Sequence, residues 1–419
     1  MNKPKIIAGI ELGSSKISTL IAQVSRDDTG LEMQINVMGA SSSPSKGIKK
    51  GQIVNIEEAV EATITSVEAA ERMAGYNLDS AYISLGGAHV YSQNSRGVVA
   101  VSDPNGEIAA MDVERVIDAA SAISIPQSRE VVHVIPREYI VDGEGGVRDP
   151  VGMSGVRLEV ETHIITASNA AMKNLRKAVK EVGINVDDFA FSGLAASESV
   201  LSATEKELGC CLIDIGGGTT SIAVFADGSP VYCSVIPIGA KNVTNDLAIG
   251  LRVSLESAEK IKLLMSETKK STEVSDELNL EELGLSEIKR ISKKTLTEGI
   301  IRPRLNEIFS LVKIGLDKEE LSGRVPSGVI VTGGGAMTIG CLESAKRVML
   351  LPARLGKPQG LTGLIDEIID PSYSAVSGLI IYGAKNSVDP ALTTFAKRIK
   401  LPGRGLVSKF IGIIKDLLP

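Results

Sequence analysis

The chain has no tryptophan, and only 3% of its 419 residues are aromatic. Single-stranded nucleic acid is gripped largely by stacking on aromatic rings, so that partner has no platform here. A net charge of −6 removes the other route to nucleic acid, a broadly basic surface. The four cysteines (Cys210, Cys211, Cys233 and Cys341) contain no CxxC pair, and two of them open an apolar run. Free thiols in reducing surroundings follow, with no disulfide or metal framework. His89, His133 and His163 stand apart in strand-like stretches with no ligand spacing. No uncharged stretch reaches the ~18–20 residues of a membrane span. The short N-terminal apolar run is interrupted by Glu11 and glycines, unlike a signal peptide. A cytoplasmic protein is expected, unless something ties it to a membrane surface. No Ser/His or Cys/His arrangement marks a nucleophile, and SSSPS at 41–45 reads as a loop.

Glycine is abundant instead, 42 residues against a usual share of about 7%. The excess falls in turns of one kind. IAGIELGSSKIS at 7–18 and CLIDIGGGTTS at 211–221 each read as an apolar strand, one acidic residue (Glu11, Asp214), a small-residue turn and a second strand. Such turns, built here from Gly13, Ser14, Ser15 and Lys16 and from Gly216, Gly217, Gly218, Thr219 and Thr220, present backbone N–H groups to phosphate oxygens. The acidic residue beside each turn is placed to hold a hydrated Mg²⁺. A third turn, VIVTGGGAM at 329–337 with Gly333, Gly334, Gly335 and Ala336, offers bare backbone to a purine. Two acidic copies about 200 residues apart imply an internally duplicated nucleotide-binding protein with its ligand between the halves.

Along the chain, strands are expected at IIAGIEL, KISTLIAQV and LEMQINVMGA. A helix is expected over 56–75 with Ile56, Val60, Ile64 and Val67 on one face. AYISLGG at 81–87 is a strand, and 88–165 mixes strands with one helix near 111–122, a length suited to an inserted module. Helices follow at 169–183, at TNDLAIGL and at SLESAEKIKLLMSE, a polar excursion at 267–287, and a helix over 287–316 broken near Pro303. A helix at 340–349, another at 371–383 and a linker at 385–404 complete the chain.

Glu259 and Lys262 lie three apart on AEKIK, hence on one helical face, where they form a surface ion pair or reach ribose and adenine. KRISKK at 289–294 puts Arg290, Lys293 and Lys294, with Lys289, on one side of an expected helix; Arg302 and Arg304 extend it. It reads as a solvated face or as a dock for an acidic peptide. At the C-terminus, Leu406, Val407, Phe410, Ile411, Ile413, Ile414, Leu417 and Leu418 fall within roughly 160° of a helical wheel. Residues 395–419 carry six cations and one Asp side chain, +5 in a chain that is −6 overall. An interfacial anchor for an anionic membrane surface fits this better than a core helix.

ELGSSK, LIDIGGGTTSIAVF and VIVTGGGAM resemble the two phosphate motifs and the adenosine motif of the actin/Hsp70/sugar-kinase superfamily. HVIPREYIVDGEGGVRDPVGMSGVRLEVETHIIT, FSGLAASESVL, SVIPIGAKNVTNDLAIGL and SAEKIK narrow the likeness to the FtsA family of bacterial cell-division actin homologues. That resemblance implies an α/β, duplicated actin-like ATPase fold of two RNase H-like halves, with an inserted 1C module in place of actin 1B. It implies subdomain 1A at 1–83 and 166–190 with part of 383–395, 1C at 84–165, 2A at 191–241 and 328–382, 2B at 242–327, a linker at 385–404 and a membrane-targeting helix at 405–418. It implies ATP and Mg²⁺ between the halves, with Gly239 among the nucleotide-site residues. Self-assembly into filaments, the C-terminal tail of FtsZ bound through 2B (Arg304 falling where a contacting arginine lies), and other divisome proteins bound through 1C also follow from it. The place of work would be the inner face of the membrane at the septum. Two departures stand out: Glu11 where much of the superfamily has Asp, and Ser192–Gly193 where the bacterial actin MreB has an acidic residue linked to water activation. Without a positioned base, hydrolysis is expected to be slow. A small-molecule kinase or phosphatase of the same fold, or a PilM-like pilus scaffold, are the rival readings.

Overall fold

The computed structural model describes residues 5–26, 33–267, 276–279 and 290–388. The expected linker beyond 388 and the helix 405–418, with Leu406, Val407, Phe410, Ile411, Ile414 and Leu417, lie outside that set.

Two sheets repeat one plan. In the first, Lys5–Leu12, Lys16–Arg26 and Met33–Pro44 form an antiparallel meander. Ser80–Leu85 joins the free side of Lys5–Leu12 in parallel, and Asn185–Phe191 joins Ser80–Leu85 in parallel. In the second, Cys210–Ile215, Thr220–Ala226 and Ser229–Ile236 form the meander. Val329–Thr332 and Ala353–Leu355 then add in parallel on the free side of Cys210–Ile215. The first sheet gains only a short sixth strand, Thr362–Gly363, on its far edge. Same order, same directions: the duplication expected from the two motifs is a duplication of the whole sheet.

The inner strands read as continuous apolar runs because helices cover both faces. CCLIDI is buried at every position, and all four cysteines are free and buried. The helix Ile56–Ala74 starts at Asn55, whose side chain accepts from the Glu58 N–H, and stops at left-handed Gly75. Its inner stripe differs from the expected one. Of Ile56, Val60, Ile64 and Val67 only Val67 is buried; Ala59, Ala62, Thr63, Ser66 and Ala70 fill the rest of the interface. Small residues let the helix lie close on the sheet, where Thr19 and Ser66 hydroxyls meet at 2.9 Å.

The chain divides into two compact units, the larger made of Met1–Asn94, Ser124–Arg137 and His163–Lys385 and the smaller including Ser95–Ile123 and Glu138–Thr162. The four-stranded sheet, ordered Tyr91–Ala100, Arg157–Ser168, Arg129–Val141 and Glu144–Val147, and the helix Ala110–Ser121 account for the mixed segment.

The segment after Ser229–Ile236 corrects two expectations. Arg290–Ser292 is a strand paired with Glu277–Asn279, and helix begins only at Lys293. KRISKK therefore is not one helical face. Arg290 pairs with Glu277 at 3.2 Å, while the Lys293 and Lys294 N–H groups bond Asp276 at 2.6 and 3.0 Å. Nor does Pro303 break the helix. A π-helical turn, Thr297–Ile301, precedes Arg302–Lys318, and the Arg302 N–H bonds the Thr297 carbonyl five residues back. Pro303 stands in the first turn of that α-helix, where a missing N–H is tolerated. Finally, the helix expected over 371–383 is a short 3₁₀ turn followed by Ser374–Val388, so the first residues assigned to the linker are helical.

Candidate functional site

Each meander bends through a four-residue turn closed by one backbone bond, Gly13 N–H to Lys16 O at 3.1 Å and Gly216 N–H to Thr219 O at 2.8 Å. The turns face each other. A Cβ on Gly217 would lie 2.6 Å from the Ser15 Cβ, and one on Gly218 2.9 Å from the Ser14 Cβ. Only glycine permits that approach. Lys241, in the first turn of the helix Ala240–Leu251, spans the gap and donates to the Ser14 carbonyl at 2.6 Å.

Between the halves lies a cleft of about 260 Å³. Glu11, Gly13, Ser14, Ser15, Lys16, Asp214, Gly216, Gly217, Thr219, Glu259, Lys262, Gly333, Gly334 and Gly335 all line it. Four expected residues stand behind its wall. Gly218 faces Ser14 and Lys50, and Gly239 is wedged against the Gly216 and Gly217 carbonyls. Thr220 donates to the Ile238 carbonyl at 2.8 Å, and the Ala336 N–H bonds Gly333 at 3.0 Å.

The acidic pair is unusual electrostatically. Burial pushes the Glu11 carboxyl up, opposed by Lys16. Burial, with Glu11 nearby, pushes Asp214 up to about 7. Glu11 Oε2 is buried and makes no hydrogen bond. Two desolvated acceptors, one of which raises the proton affinity of the other, favour a cation, and two carboxylates completed by phosphate and water suit Mg²⁺. Lys16 lies beside them, its own pKa lowered by burial and partly restored by Glu11 and Asp370. Its ammonium donates to Ser372 at 2.9 Å and sits 3.6 Å from the Tyr373 ring centre.

Also on the cleft wall, Glu259 and Lys262 do share a helical face, with the Lys262 side chain buried and that of Glu259 39% exposed. Lys262 bonds Glu259 at 2.7 Å and Thr244 at 3.0 Å; Thr244 bonds the same carboxylate oxygen at 2.5 Å. On the opposite wall Ser192 and Ser221 hydroxyls meet at 2.9 Å. In the third glycine turn, Gly333 has φ +82° and its missing side chain would strike Asp214, while Gly334 opens to the cleft.

No sequence pattern singles out Thr244, Ser221, Ser372 or Tyr373, or by itself assigns Lys241 to the cleft. Only Lys241 carried a local signal: a cation in the first turn of a helix with no acidic residue there runs against the macrodipole. Lys16 and Ser372 are 356 positions apart. Arg304, outside the cleft, is held by Asp246 in a two-pronged pair at 2.6 and 2.9 Å and by Glu307. Its charge is answered within the chain, which no helical-wheel reading of cations alone reveals. Two histidines are core groups: His133 accepts from the Phe191 N–H at 3.0 Å and His163 bonds Asn94 at 2.7 Å, while His89 is only partly buried.

Two sheets of one plan, facing turns with paired acids and an inserted module define an actin-like fold. Solved structures agree at the level of fold: a PilM–PilN type IV pilus biogenesis complex (TM-score 0.63, 15% identity, 90% of this chain and 98% of that one). So does MreB5 of Spiroplasma citri bound to ADP (TM-score 0.53, 14% identity, 92% and 98%). The family is closer. Residues 87–166 match the model described as the SHS2 domain inserted in FtsA, and 211–378 the model of cell division protein FtsA. Cell division protein FtsA of Pseudomonas aeruginosa is 39% identical over 386 residues (92% of this chain, 91% of the relative). That of Borreliella burgdorferi is 39% identical over 397 residues (94% and 95%), and that of Escherichia coli 35% over 393 residues (92% of each). This chain belongs to the FtsA family of cell division proteins. No helix among the described residues is long and apolar enough to cross a membrane.

Proposed function

We propose that the cleft binds ATP with Mg²⁺ and that the protein is a polymerising, membrane-attached scaffold that tethers FtsZ filaments at the septum. The observation that carries the nucleotide reading is the Glu11–Asp214 pair in matching hairpins, one with an unpartnered buried oxygen. Glu11 and Asp214 would hold the metal through water, and Mg²⁺ would supply charge neutralisation on the phosphate oxygens. The two facing turns, with Lys16 and Lys241, would bind the phosphates. Glu259 and Lys262, braced by Thr244, would orient the ribose and adenine against Gly333–Gly335. Near that site Ser192 and Ser221 offer only hydroxyls, which are poor general bases, so hydrolysis is slow and nucleotide acts chiefly on assembly.

In this reading the 1A, 1C, 2A and 2B boundaries are those the sequence suggested. The 1C module, 84–165, takes other divisome proteins. The cations Arg304, Arg290, Lys293 and Lys294 of 2B take the acidic FtsZ tail. The amphipathic 405–418 segment holds the chain to the anionic inner face of the membrane. Co-sedimentation tests the whole: FtsZ polymers should pellet with anionic vesicles only when this protein and ATP are present. FtsZ that stays in the supernatant while the protein pellets removes the tether; a protein that itself stays in the supernatant removes the anchor.

A further inference from the structure

The helix Asn169–Glu181 buries Met172, Leu175, Ala178 and Val179. Its outer side carries Lys173, Arg176, Lys177 and Lys180, spaced i, i+3, i+4, i+7 and therefore in one stripe. The three lysines are exposed. Glu181, 3.6 Å from Lys177, is the one acid bordering the shallow groove along the stripe. Four cations against one carboxylate make this a patch of +3 on a chain of −6. No residue of the helix is an exposed large apolar side chain. A protein partner is usually held by such an anchor in a pocket; a flat stripe of ammonium groups suits a diffuse anionic plane.

Position supports the same occupant. Arg176 lies 5.1 Å from the Phe189 ring centre, which fixes the helix to the edge strand Asn185–Phe191. On the same strand Asp188 accepts from the Tyr382 hydroxyl at 3.4 Å, in the last two turns of the helix Ser374–Val388. The last described helix therefore ends, at Val388, within two turns of its contact with this edge. Residues 395–419 carry six cations and one Asp side chain. Like charges repel, so the stripe is no berth for that segment, whereas one anionic surface attracts both.

We propose that Lys173, Lys177 and Lys180, with Arg176, form a second membrane contact, an electrostatic dock for anionic lipid headgroups that orients the body on the surface. It rests on the membrane-attachment reading above. The test is vesicle binding by the full chain with phosphatidylglycerol/phosphatidylcholine vesicles, and with phosphatidylcholine alone, across a salt series. Cations near an anionic surface contribute up to about fivefold each, so K173Q/K177Q/K180Q should bind the anionic vesicles at least about tenfold more weakly, with a flatter salt dependence. Binding to neutral vesicles should not change, and the triple lysine-to-arginine variant should bind like the parent. Unchanged ATP affinity and melting temperature certify the fold; should the triple variant unfold, Lys173→Gln and Lys180→Gln singly should each give a smaller loss of the same kind. If the triple glutamine variant binds like the parent while Phe410→Glu does not bind, the dock is wrong and the terminal anchor stands. If the parent itself fails to bind, both fall. If the glutamine variant keeps its vesicle affinity but loses self-assembly, the stripe meets a second copy, whose helix Ile56–Ala74 carries Glu57, Glu58, Glu61 and Glu68, and the lipid assignment is overturned.

Discussion

Glu11 and Asp214 occupy the same place in two copies of one hairpin. Each is the penultimate residue of the first strand, and each lies opposite a serine on the second, Ser18 and Ser221. The two acids thus reach one cleft from two sheets of identical order.

That pairing sets a pH dependence. Asp214 is pushed up to about 7 by burial and by Glu11, so near neutrality it must release a proton before it can hold a cation. Mg²⁺-dependent ATP affinity should rise from pH 6 to pH 8, at up to about tenfold per unit below the folded pKa. Calorimetry in buffers of different ionisation enthalpy should also detect proton release. A flat profile would mean Asp214 does not meet the metal.

The glycines of the third turn, Gly333 and Gly334, should separate fold from function. Gly333→Ala places a side chain against Asp214 at φ +82° and should lower stability by about 1–3 kcal/mol. Gly334→Val projects into the cleft, where the nearest atom to an added Cβ is Ser372 Cβ at 3.4 Å. It should leave the melting temperature within a few degrees of the parent and reduce ATP affinity. Equal effects of the two on stability would contradict the assignment.

Arg304 needs a control that the sequence did not suggest. Arg304→Glu would set a third carboxylate beside Asp246 and Glu307, so lost FtsZ-tail binding by itself is ambiguous. Arg304→Gln should cost stability by about 1 kcal/mol, since the pair is only partly shielded from solvent. If this milder variant keeps the melting temperature near the parent yet weakens an acidic tail peptide, more so at low salt, the arginine contacts the peptide. Parent-like anisotropy titrations with a correctly folded Arg304→Gln would remove it from the dock.

The buried histidines set the acid limit. His133 is pushed down to about 4 by burial. Its folded pKa is depressed below the unfolded value, so its neutral form stabilises the fold above pH 6.5 and that contribution fades as pH falls toward 4. The full contribution is on the order of 3 kcal/mol. Denaturant midpoints should fall over this window, and the fall should be smaller in His133→Gln. An unchanged slope in that variant would assign the acid loss elsewhere.

Much of this was legible from short-range signals. Strand–turn–strand units announce themselves through period-two apolar runs and glycine, and an acid in the same slot twice is hard to mistake. The failures share a cause. KRISKK has charges at i, i+1, i+4 and i+5, a spacing that suits a helix but is compatible with a strand entering one. The inner stripe of Ile56–Ala74 was misread because close packing on the sheet favours alanine and serine over branched residues. Lys16 with Ser372, and Arg304 with Asp246, are tertiary pairs that no local pattern encodes.

The central claim, that two equivalent acids hold a metal–nucleotide complex between the halves, is tested most directly by calorimetry of ATP with and without Mg²⁺ on the parent and on Glu11→Gln/Asp214→Asn. The account predicts one site in the parent, strengthened by Mg²⁺. In the correctly folded double variant the Mg²⁺ dependence should vanish and affinity fall by about 3–6 kcal/mol, the range for two charge-assisted contacts. An undiminished response to Mg²⁺ in that variant would contradict it.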